Sequence, residues 1–104
     1  MLCEIERDPD SGEITFDCDE EGRTLQSFLE TDLQEDLTHT EYLLILCRSE
    51  NNLDVESTGN SYSLLLNRNN FKIENLYDSR EVIEGRRSYL LEILENWKAL
   101  LSNI

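Results

Sequence analysis

Basic residues are scarce in this chain. Nine Lys and Arg stand against 23 Asp and Glu, a formal net charge of -14 over 104 residues. A nucleic-acid binder needs a basic footprint on phosphates, so direct binding to a polyanion is disfavoured. Long apolar runs are also missing. The longest strictly apolar stretch is Leu43-Leu44-Ile45-Leu46-Cys47, far short of the roughly 20 residues that span a bilayer as a helix. The opening Met1-Leu2-Cys3-Glu4-Ile5-Glu6 has neither a basic nor a long apolar region of the kind a secretory signal needs. A cytoplasmic location is therefore expected. Three cysteines, Cys3, Cys18 and Cys47, form no C-x-x-C and have no histidines at ligand spacing. Neither a disulfide scaffold nor a zinc site is expected from them. His39 is the only histidine and has no nucleophile at a recognisable spacing, and no phosphate-binding or nucleophile-elbow motif occurs. The reading is that the protein is not an enzyme and takes no cofactor.

What is present is a set of short periodic segments. One domain covering residues 1–104 fits the length. Residues 2–7 and 13–18 alternate apolar and polar side chains, the pattern of two half-buried strands. Asp8-Pro9-Asp10-Ser11-Gly12 between them supplies a fixed φ, side-chain-to-backbone bonds and a residue tolerant of positive φ. A register pairing residues whose numbers sum to 21 sets Ile5 opposite Phe16 and Cys3 opposite Cys18. The two thiols then read as cross-strand packing, with a regulatory disulfide as the alternative.

A helix is expected from Thr24 to Leu37, with Leu25, Phe28, Leu29, Leu33 and Leu37 along one face. Residues 40–48 read as a second helix capped by Thr40, with a buried strand as the alternative, and 49–52 as a loop. Residues 53–56, 61–66 and 71–74 alternate again. Asn- and Gly-containing turns between them make a three-stranded antiparallel meander. The final helix follows Asp78-Ser79 and carries Val82, Ile83, Leu90, Ile93, Leu94, Trp97, Leu100 and Leu101. Arg80, Glu84, Arg87, Glu95 and Lys98 fill much of its other side, and Gly85 weakens its first turn. The expected class is α+β: hairpin, one or two helices, meander, and a long C-terminal helix packed on the sheet.

The charge is unevenly distributed. Residues 1–38 hold 13 acids and 2 bases, and residues 39–104 hold 10 acids and 7 bases. Such an excess destabilises the free protein by self-repulsion and attracts cationic partners. The candidate partner-binding residues are Asp10, Glu13, Asp17, Asp19, Glu20 and Glu21. Glu30, Asp32, Glu35 and Asp36 form a second candidate patch. Asp17-x-Asp19-x-Glu21-Gly22 resembles the opening of a calcium loop, but the position of the closing bidentate acid is Phe28, so no metal is expected.

Two family likenesses accompany these patterns. Glu4-Ile5-Glu6-Arg7-Asp8 with Gly12, and Gly59-Asn60-Ser61-Tyr62-Ser63-Leu64 followed by Phe71-Lys72-Ile73, resemble the small bacterial YacL-like proteins, which implies a housekeeping accessory role. The small acidic domain without catalytic motifs is also similar to the immunity proteins of bacterial toxin–immunity systems, including contact-dependent growth inhibition. That likeness implies a cytoplasmic monomer that occludes the basic active site of a toxin, such as a nuclease. An acidic DNA mimic acting on a DNA-binding protein is a further alternative.

Overall fold

A computed structural model describes residues 3–49 and 54–102. The expected loop at 50–52, and the start of the first meander strand at Leu53, lie outside the described residues. The fold is α+β, a two-stranded hairpin and a four-stranded antiparallel sheet joined by helices. Strands β1 (Cys3–Arg7) and β2 (Ile14–Cys18) pair in the expected register, Ile5 opposite Phe16 and Cys3 opposite Cys18. The turn works through local bonds. Asp8 Oδ1 accepts from the N–H groups of Asp10 and Ser11, and Gly12 sits at φ 76°. Cys3 and Cys18 are joined as a disulfide, which corrects the expectation of two packed thiols. Opposed positions of an antiparallel pair bring their Cβ atoms within bonding reach.

The expected continuous helix from Thr24 to Leu37 is broken. Helix α1 (Gly22–Phe28) runs into a five-residue π-helical turn, Leu29–Leu33. Gln34 N–H donates to Leu29 O at 2.7 Å, and Gln34 then takes φ 53° and reverses the chain. Helix α2 (Leu37–Arg48) follows. Its N-cap is Asp36, not Thr40: Asp36 Oδ1 accepts from His39 N–H at 3.0 Å, and Thr40 bonds through its hydroxyl to Asp36 O. A Ser, Thr, Asn or Asp at this position satisfies a free amide of the first turn.

Strands β3 (Val55–Thr58), β4 (Tyr62–Leu66) and β5 (Asn70–Asn75) form the expected meander. A fourth strand, β6 (Val82–Arg86), extends it and pairs Ile83 with Ile73 and Gly85 with Phe71. Val82, Ile83 and Gly85 are therefore strand residues, not the opening of a helix. Helix α3 (Arg87–Ser102) begins immediately after them. Leu90, Ile93, Leu94 and Trp97 bury its inner face. Helices α1 and α3 both contact the hairpin and strands β5 and β6, and α2 packs on α3. The core thus joins Leu25, Phe28, Leu29 and Leu33 to Leu64, Phe71 and Ile73. Among the described residues no helix is long and apolar enough to cross a membrane.

Two polar side chains hold distant segments together. Asp32, in the π-helical turn, is buried and accepts from the N–H groups of Ser61 and Tyr62, both at 3.0 Å. A Cβ on Gly59 would run into that carboxylate, so the β3–β4 turn needs glycine there for close approach. Arg87 is also buried, which corrects its expected place on the solvent side of the last helix. Its guanidinium donates to Leu46 O, Cys47 O and Ser49 O at the end of α2, and to Asn67 O in the β4–β5 turn, at 2.6–3.0 Å.

Burial also raises proton affinities, most at Cys47 and Tyr62. The Cys47 thiol is pushed from 9.0 up to about 11 by burial, against the pull of Arg87 and Arg48. The Tyr62 hydroxyl rises from 10.0 to about 12 through burial and its bond to Glu81. Both groups hold their protons more tightly folded than unfolded. Their contribution to stability is complete below about pH 9 and is lost as pH rises, first through 9–11 for Cys47 and then through 10–12 for Tyr62. Urea midpoints measured from pH 7 to 12 should therefore be level at first and fall above pH 9. Cys47→Ala should flatten the first part of that fall.

Candidate partner-binding surface

The ten acids proposed from the sequence do not form one surface. Asp32 is withdrawn from solvent by its bonds to the β3–β4 turn, so it is a structural carboxylate. Asp36 is exposed but occupied as the cap of α2. Asp19 Oδ1 accepts from Gly22 N–H at 2.7 Å and fixes the entry to α1. Asp10 is exposed in the hairpin turn, and Asp17 lies on the outer face of the hairpin directly opposite Glu4. Like charges set opposite on a strand pair repel. That pair is a local instance of the self-repulsion expected from composition.

Three of the ten converge. Glu13 at the entry to β2, Glu30 in the π-helical turn and Glu35 in the following loop line one open groove of about 560 Å³. Ile14, Phe16, Gln34 and Trp97 complete the lining. The Phe16 and Trp97 rings lie 5.8 Å apart, tilted by 34°. Trp97 Nε1–H donates to Gln34 O at 3.1 Å, so the indole is fixed to the loop that carries Glu35. Gln26 Nε2 donates to Glu30 at 2.6 Å and orients that carboxylate. None of the described lining residues is basic. Among the described residues, no ion pair engages Glu13, Glu30 or Glu35.

The remaining acids sit on the side where α1 meets β6. Glu21 shares one cleft with Glu84, Arg86, Ser88, Tyr89 and Glu92. Glu20 and Glu21 share another with Asp78, Arg80, Glu81 and Val82. Arg80 forks onto Asp78 at 3.0 and 3.3 Å, and these bonds hold the Asp78 carboxyl below its usual range. Glu84, Glu92 and Glu81 are acids of the nearly balanced half of the chain that sequence reasoning did not place here. Strand β6 carries Glu84 and follows directly on Glu81, and α3 carries Glu92, whereas the sequence pattern places Val82 and Ile83 in a helix.

Besides Arg80, five of the nine cations are engaged away from the groove. Arg48 pairs with Glu95 and Lys98 with Glu41. Lys72 lies near Glu74 and Glu84. Arg7 donates to the Gly12 and Leu100 carbonyls, and Arg87 to the four carbonyls above. Among the described residues no group of three or more His, Cys, Asp or Glu is placed to hold a metal ion. The chain matches no protein-family model, no curated protein and no solved structure.

Proposed function

We propose that this protein binds and neutralises a cationic protein, in the manner of an immunity protein occluding the basic active site of a bacterial toxin. The observation that supports this reading is the convergence of Glu13, Glu30 and Glu35 over an aromatic floor. The hairpin and the helical segment, both parts of the acid-rich first 38 residues, contribute side chains to one concave place. A basic cleft that ordinarily binds phosphates finds there carboxylates on a preorganised scaffold. The outlying acids, among them Asp10, Asp17 and Glu20, would steer the approach and make association sensitive to salt. Carboxylates that lose their water against the partner would set its residence time.

The test is protection in cells. The protein is co-expressed with a toxic protein encoded beside its gene, and growth is compared with that of cells carrying an E13K/E30K/E35K variant. Restored growth with the native chain and lost protection with the variant support the reading. A toxin that stays fully active beside the native protein, or the lack of any neighbouring toxin gene, overturns it.

A further inference from the structure

We infer that the groove between the hairpin and the π-helical turn is a seat for an arginine side chain of the partner. This rests on the reading of a cationic protein partner and names the chemistry of its contact. The groove has an apolar floor and an anionic rim. Phe16 and Ile14, both half-buried, form the floor beside the buried Trp97, and Glu13, Glu30 and Glu35 stand at the rim. An ammonium and a guanidinium would feel the same charge there, but they differ in shape and hydration. A guanidinium is planar and weakly hydrated, so it can lie on an aromatic ring while its edges donate to carboxylates. Its fork also meets a carboxylate through two parallel bonds, which a lysine cannot do. Gln34 adds a fixed element: its Nε2 donates to Thr31 O at 3.0 Å, while its main-chain carbonyl is taken by Trp97. Charge complementarity therefore selects a cation, and the half-buried Phe16 ring selects the planar one.

Trp97 is the only tryptophan in the chain, so its fluorescence reports on the groove directly. The probes are two peptides of equal length and charge, Gly-Ser-Arg-Arg-Arg-Ser-Gly and the same sequence with Lys for Arg, both blocked at their ends. The native protein should bind the arginine peptide about fivefold tighter. Backbone amide shifts on titration should be concentrated at 13–16 and 30–35. The E13Q/E30Q/E35Q variant should lose both the preference and most of the affinity. An E41Q/E56Q/E95Q variant carries the same change in charge on residues outside the groove and should keep the fivefold ratio. Equal affinity for the two peptides, or equal losses in the two variants, would overturn the arginine seat and point to diffuse charge. That outcome leaves the cationic-partner reading standing. Arginine preference without protection in cells overturns the immunity reading and leaves the seat.

Discussion

Trp97→Ala is expected to destabilise the protein by about 3–5 kcal/mol, measured as a shift of the urea transition followed by circular dichroism at 222 nm. The side chain is 3% exposed and packs in the core that joins α3 to the hairpin. Truncation to Ala leaves a cavity beside Phe16, and the surrounding strands and helices can collapse into it only in part. The indole N–H is also lost from Gln34 O, at the single non-glycine position with positive φ among the described residues. Trp97→Phe separates the two effects. It keeps much of the apolar volume, so its cost should be smaller, roughly 1–2 kcal/mol for the missing hydrogen bond and partial loss of packing. Because folded domains are stable by only about 5–15 kcal/mol, the Ala variant should have a visibly lowered melting temperature even if it still folds.

Arg87→Met should cost a comparable amount, about 3–5 kcal/mol, because each buried carbonyl left without its charged donor costs about 1–3 kcal/mol. Its acceptors are all main-chain carbonyls, and no carboxylate shares the site among the bonds it makes. Three of them belong to the end of α2, where carbonyls lack partners within the helix and the macrodipole favours a cation. The fourth lies in the β4–β5 turn, and Arg87 N–H closes on Asn69 O of the same turn. Methionine would fill much of the volume but leave these carbonyls to find water. Arg87→Lys keeps the charge without the fork and should fall between native and Met. Hydrogen exchange distinguishes this role from general loosening: protection should drop first at the last turn of α2 and in the β4–β5 turn. Uniform loss across the sheet would show that Arg87 acts only as bulk.

These two residues mark where the sequence was legible and where it was not. The hairpin could be read because its information is local: alternation fixes the faces, and Asp8 with Gly12 fixes the turn. The meander could be read for the same reason. The break after Phe28 could not, because Leu25, Leu29, Leu33 and Leu37 keep an unbroken helical spacing and no Gly or Pro interrupts it. The π-helical turn inserts its extra residue without disturbing that pattern. Asp36 carried the only nearby signal, as an Asp three residues before the amide it caps. Strand β6 was hidden because Ile83 and Leu90 are seven apart, a spacing that two helical turns also produce. Arg87, one residue beyond that strand, looked like any polar residue on a helix. Its burial depends on α2 and the β4–β5 turn, which are distant in sequence. The acid-rich segments were legible as charge. That Glu13, Glu30 and Glu35 would meet over Phe16 and Trp97 was not, since it depends on how the hairpin docks against α1 and α3.

The bond between Cys3 and Cys18 makes a closed ring of β1, its turn and β2. A chain cut anywhere in the exposed turn at 9–13 would leave both ends tied to the same molecule. Strand β1 would not be shed, and Cys3 N–H would keep its contact with the Tyr89 hydroxyl on α3. The ring therefore makes the tip of the hairpin the place where this fold can accept a nick or a short insertion with the least loss, while the groove's β2 residues stay anchored from the opposite end.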